Sequence, residues 1–99
     1  MARFDVYEIR STGGWAVDVQ ADFLAHLKTR VIVPLLQGEE ADWPMPRLSP
    51  KILFNSKIWS LGTPFMTGVP LRELNGPVGS VVDHEYQIGM ALDLLLTGV

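Results

Sequence analysis

The stretch from Ser80 to Val99, SVVDHEYQIGMALDLLLTGV, reads as a helix, and the rest of the chain has to give it a surface to lie on. Ser80 is placed to act as N-cap, and Asp83 three residues later fits an S-x-x-D capping box. Val81, Ile88, Leu92 and Leu95 recur on one helical face, which should pack on the domain. Leu94, Leu96 and Val99 fall off that line, so the last turn is apolar on more than one side. Gly98 suits a helix stop, where a left-handed backbone costs glycine nothing. Water discourages an apolar chain end, so either a partner subunit or a target covers it, or the helix is tucked into its own core.

The residues before that helix come in short runs broken by turn chemistry. Phe4 to Ile9 alternates in the strand manner, with Phe4, Val6 and Glu8 on one side and Asp5, Tyr7 and Ile9 on the other. Gly13-Gly14 supplies the positive φ of a hairpin. Trp15 to Gln20 returns as a strand with Trp15, Val17 and Val19 inward and Ala16, Asp18 and Gln20 outward. Asp22 to Leu27 is a helical turn or an irregular link. Arg30 to Leu35 is a third strand, with Pro34 pushing its end to an edge or a bulge. Residues 37–50 carry Glu39, Glu40 and Asp42 and then three prolines, Pro44, Pro46 and Pro50, the composition of a long surface loop. Lys51–Phe54 and Ile58–Leu61 flank Asn55-Ser56-Lys57 as a second hairpin. Phe65-Met66 and Val69 to Leu74 add short strands, and Asn75-Gly76-Pro77 is a break before the helix. Five or more antiparallel strands followed by one helix make an α+β domain, a small, partly open barrel with the helix across it.

Composition sets further limits. A chain of 99 residues is one domain, residues 1–99, with a real core and no room for a second. Its 47% hydrophobic against 19% charged content is high for so much surface, so part of that surface belongs in an oligomer interface. A net charge of −3 argues against direct nucleic-acid binding, which needs a basic footprint. The absence of cysteine removes disulfides, thiolate metal sites and cysteine nucleophiles. With no signal-like start and no run long enough to span a bilayer, the chain reads as cytoplasmic, with no membrane partner.

Catalytic constellations are thin. His26 and His84 lack metal-ligand spacing, and no cofactor is expected. His84, between Asp83 and Glu85, is expected as a solvated side chain of the first helical turn. Asp18 and Asp22 make a weak carboxylate pair. Trp15, Trp43 and Trp59 have few basic neighbours and read as core rather than as stacking platforms for bases. The chemistry is that of a binding protein.

Three blocks in order then carry a resemblance: Phe4-Asp5-Val6-Tyr7; Val17-Asp18-Val19-Gln20-Ala21-Asp22-Phe23-Leu24 with Arg30-Val31-Ile32-Val33-Pro34-Leu35; and the ending Leu95-Leu96-Thr97-Gly98-Val99. Pro50, Trp59 and Val69-Pro70 add to it, and only the 36–47 loop is poorly matched. The pattern resembles the CcdB family, toxins of bacterial toxin–antitoxin pairs. The resemblance implies an SH3-like, partly open antiparallel barrel with a long carboxy-terminal helix, assembled as a homodimer. It implies binding to the A subunit of DNA gyrase, trapping of the cleaved-DNA complex, and neutralisation by a CcdA-like antitoxin. Such a toxin performs no chemistry of its own.

Site residues follow by position. The family's terminal Trp-Gly-Ile corresponds to Thr97, Gly98 and Val99, so the aromatic ring is replaced by threonine. A family asparagine becomes Asp93, an aliphatic pair becomes Phe23 and Leu24, and Glu85 keeps a family glutamate. All seven would be gyrase contacts, with Arg10 as an antitoxin contact. Plainer readings stand beside these: Phe23 and Leu24 as core, Glu85 as a helix-start charge, Gly98 as a helix stop. An endoribonuclease on the related MazF/Kid-like fold, or a non-toxic member that only binds an antitoxin, are the alternatives.

Overall fold

The computed structural model describes residues 2–38 and 45–98. Trp43, the acidic run of the 37–50 loop and Val99 lie outside the described residues. The elements run β1 (Asp5–Ile9), β2 (Trp15–Asp18), β3 (Thr29–Leu36), β4 (Lys51–Phe54), β5 (Lys57–Leu61), β6 (Thr67–Pro70), β7 (Leu74–Ser80) and α1 (Glu85–Thr97). The strands form one antiparallel sheet in the order β4-β5-β3-β2-β1-β7, with β6 pairing β3 as well. The architecture is a curled half-barrel of α+β class with the helix last, as the alternation of short strands and turns predicts.

Pro34 shows why the sheet can curl. Its missing N–H falls where one edge of β3 changes partner, from β6 at residues Thr29 to Ile32 to β5 at Leu35 and Leu36. The Pro34 carbonyl accepts the Gly62 N–H at 2.7 Å, closing the corner. In the β4–β5 hairpin, Asn55 and Ser56 both take positive φ, 54° and 62°, the twist-matched two-residue turn. Lys57 therefore pairs with Phe54 and belongs to β5 rather than to the turn.

The sheet buries both of its faces. Val6, Val17, Val33, Leu35, Ile52 and Leu61 pack under Ile88, Ala91 and Leu92 of α1. Tyr7, Ala16 and Ile32, the alternate residues of the same strands, form a second core with Leu74, Ile9 and Val69. This corrects the expectation that Ala16, Asp18 and Gln20 face outward: all three are buried, Ala16 in the second core, Asp18 against Arg30, and Gln20 in bonds to Val31 and Leu24. Burying an aliphatic or aromatic side chain contributes about 1.5–3 kcal/mol, so two cores strengthen a small domain.

Asn75-Gly76-Pro77 is not a break before the helix. The three residues lie inside β7, an edge strand that tolerates a residue without a donor, and the Gly76–Pro77 peptide is cis. Between the pairs Val6–Gly79 and Glu8–Asn75 the β7 side carries extra residues, a bulge opposite Tyr7. The helix also starts later than expected. Ser80 is still strand, paired with Asp5, and its hydroxyl accepts the Val82 N–H at 3.2 Å. A 3-10 turn, Val82–His84, follows, and α1 begins at Glu85 with no side-chain cap. The Ser80–Asp83 capping box does not form, because ladder pairing claims the serine.

The two sheet edges meet at Gly79 and Phe54. A Cβ on Gly79 would stand 2.6 Å from Phe54 Cε1 and 2.8 Å from Cζ. That ring is fixed in turn by Trp15, edge to face at 5.2 Å, and Trp15 lies 5.3 Å from Trp59. Trp15 and Trp59 are thus packing residues, as expected. Gly79→Ala is expected to cost about 1–3 kcal/mol by overpacking, read as a lower urea midpoint; an unchanged midpoint would show that the ring moves freely.

Tyr7 supplies a pH-dependent test of the second core. Its hydroxyl is buried with no hydrogen-bond partner among the described residues. Burial first, then the nearby charges of Asp5 and Asp18, raise its pKa above 10.0, while Arg30 opposes them. A raised folded-state pKa means that above about pH 10 the unfolded chain loses this proton first. Stability is then full below that pH and falls as pH rises through it. Tyr7→Phe is expected to flatten the alkaline fall in unfolding free energy while changing neutral-pH stability by less than about 1 kcal/mol. An alkaline limb of equal slope in the variant would contradict this.

Candidate functional site

The end of α1 is an exposed apolar feature, with Leu95 and Leu96 both open to solvent. The helix stops at Gly98, whose φ of 78° is left-handed and whose N–H donates to the Leu94 carbonyl at 3.0 Å. The helix stop read from the sequence is there. Thr97 Oγ1 donates to the Asp93 carbonyl at 2.7 Å, so the threonine hydroxyl is spent on its own helix. Asp93 and Thr97 are exposed on one face, and Leu96 beside them is 67% exposed. Of the expected apolar line, Ile88 and Leu92 are buried in the helix and Val81 just before it, while Leu95 is more than a third exposed.

Glu85 opens the helix, exposed, with its charge at the end where the macrodipole favours an anion. It is eight residues before Asp93, roughly 12 Å along the axis. Tyr86, 74% exposed, and Met90 share the solvent face with Asp93 and Thr97. The spacing 86, 90, 93, 97 is the signal that reveals this face; it lies opposite the line of core residues on which the sequence reading concentrated. Gln87, Met90 and Leu94 also line a recess of about 180 Å³ against Arg47 and Pro50.

Phe23 and Leu24 are carried by a separate element. They sit in a 3-10 turn, Asp22–Leu24, between β2 and β3, which confirms a helical turn in that link. Phe23 is 80% exposed and Leu24 half-buried, so the core reading of Phe23 is wrong. Asp22 Oδ1 accepts the Arg3 N–H at 2.7 Å, and Gln20 Nε2 donates to the Leu24 carbonyl at 2.9 Å. Arg10 is exposed at the β1–β2 turn, where its N–H donates to the Glu73 carbonyl. The structure therefore groups Asp93, Thr97 and Gly98, places Glu85 up the same helix, and leaves Phe23, Leu24 and Arg10 on two other connections.

His84 and Asp18 are engaged in holding the fold, while His26 is exposed in the link before β3. His84 is not solvated: its Nε2 accepts the Leu53 N–H at 3.2 Å, tying the helix start to the free edge of β4, and its Nδ1 is buried. Asp18 is no partner for Asp22. Its Oδ2 accepts Arg30 Nε at 3.1 Å and Nη2 at 2.6 Å, and both side chains are fully buried. Among the described residues no group of His, Asp and Glu could hold a metal ion, and no helix is long and apolar enough to cross a membrane. Among the described residues the exposed apolar surface includes the helix end, the rings of Phe23 and Phe65, and Leu53 and Ile58 of the β4–β5 hairpin.

The sequence model of the family described as CcdB protein matches residues 3–98. No curated protein matches the chain. Two similar solved structures are an endoribonuclease and an endoribonuclease in complex with its cognate antitoxin, both from mycobacterial species. The first is 17% identical at a TM-score of 0.78, covering 97% of this chain and 90% of that one. The second is 16% identical at 0.79, covering 97% and 94%. At such identity these likenesses carry the fold.

Proposed function

This chain belongs to the CcdB protein family, toxins of toxin–antitoxin systems, and we propose that it acts by binding the A subunit of DNA gyrase and trapping the complex in which DNA is cut. The observation that carries this reading is the exposed end of α1, where Leu96, Thr97 and Gly98 stand clear of the core. Asp93, Glu85 and Val99 extend that contact, and Phe23 and Leu24 supply a second apolar point. The toxin works as a homodimer, matching a two-fold gate with symmetric contacts. Gyrase provides the broken bond, so the chain needs no catalytic group. A disordered segment of a CcdA-like antitoxin, with Arg10 among its contacts, folds onto the toxin and displaces gyrase.

The second reading is an endoribonuclease, favoured by the names of the two structural neighbours. The net charge of −3 and the structural engagement of His84 weigh against it. The test is to incubate the purified chain with total RNA alone, and with gyrase, ATP and supercoiled plasmid. Linear plasmid and intact RNA are expected. RNA cut with gyrase absent, and no linear plasmid, would replace the gyrase reading with the nuclease one.

A further inference from the structure

Gln20 is buried, and its side chain connects β3 to the Leu24 end of the turn bearing Phe23. Its Oε1 accepts the Val31 N–H of β3 at 3.1 Å, and its Nε2 donates to the Leu24 carbonyl at 2.9 Å. Its own N–H donates to Asp18 Oδ1 at 3.0 Å, which places it one bond from the buried Asp18–Arg30 pair. The backbone bonds inside the turn are local, Leu24 N–H to the Ala21 carbonyl and Ala25 N–H to the Asp22 carbonyl, each 3.0 Å. Its start is also tied by the Arg3 N–H to Asp22 Oδ1, while the Leu24 end has the Gln20 amide. Such a short 3-10 turn is weak by itself, and Phe23 at 80% exposure gains nothing from its own core.

We infer that Gln20 is a positioning residue: its amide bridges β3 to the Leu24 carbonyl and so fixes the Asp22–Leu24 turn with Phe23 protruding. The role deepens the gyrase reading and rests on it for the identity of the partner. An anchor held in place before binding loses less freedom on association, so a loosened turn weakens binding without removing a contact atom. The two ends of the amide have separate functions. The oxygen serves the sheet, and the nitrogen serves the turn.

Two variants separate them. Gln20→Met keeps the volume and removes both bonds. Gln20→Glu keeps an acceptor for Val31 and removes the donor to Leu24. In both, amide exchange at Leu24 and Ala25 is expected to rise about tenfold relative to Val17 and Val33. Gyrase affinity is expected to fall about as far as in Phe23→Ala/Leu24→Ala, and adding either Gln20 change to that double variant should lower it no further. Unchanged relative exchange at Leu24 and Ala25, or losses of affinity that simply add, would overturn the positioning role. If exchange responds while no version, the unaltered chain included, binds gyrase, the partner assignment fails and the role of Gln20 in holding the turn stands.

Discussion

Asp18→Asn is expected to cost about 3–5 kcal/mol, a large part of the roughly 5–15 kcal/mol that holds a domain of this kind together. The aspartate is wholly buried, and its two oxygens take three donors: Arg30 Nε, Arg30 Nη2 and the Gln20 N–H. Asparagine preserves the shape and an acceptor but leaves the Arg30 guanidinium in the second core without a countercharge. Arg30 Nη1 already has no partner among the described residues, so nothing there can take up the lost charge. The penalty comes mainly from the orphaned cation, because forming the pair itself cost both ions their water. Asp18→Asn/Arg30→Met should therefore recover most of the loss. Urea denaturation of the three variants checks this: a double variant as unstable as the single one would show that the pair contributes through its geometry instead.

Leu96→Gln is expected to lower affinity for the gyrase A subunit about 10- to 100-fold while leaving stability within about 0.5 kcal/mol. The leucine is 67% exposed and adds little to its own core, so removing it scarcely affects folding. Covered by a partner, the same side chain would contribute up to about 1.5–3 kcal/mol. Glutamine keeps the helix propensity and introduces no charge at the carboxy-terminal end of the dipole. Titration calorimetry with the isolated A subunit, alongside thermal melts, separates the two effects. Equal affinity in a folded variant would move the contact elsewhere on the surface.

The contrast between these two residues marks what the chain reveals when read alone. Short strands, the hairpin at Asn55-Ser56, the helical turn before β3 and the stop at Gly98 were legible because each depends on neighbours within a few positions. Asp18 was not legible. Alternation assigned it to the outward face, and only the pairing of β2 with β3 brings Arg30, twelve residues away, against it. The same distance problem hid His84, whose acceptor role needs the free edge of β4, and β7, where a bulge and an edge position admit Pro77. Of the candidate site, the helix end with its Gly98 stop and a helical turn around Phe23 were legible as local structure, and the resemblance to the family singled out their residues. The exposed run Tyr86, Met90, Asp93 and Thr97, and the support Gln20 gives the turn, became visible only with the fold.

The most direct test of the gyrase reading compares the full chain with one lacking Thr97-Gly98-Val99, in a cleavage assay with purified gyrase, ATP and supercoiled plasmid. The helix end is expected to be the part that engages the enzyme, so linear DNA should form with the intact chain and be absent with the shortened one, both melting at similar temperatures. Equal linear DNA from the two, or none from a folded, intact chain, would contradict it.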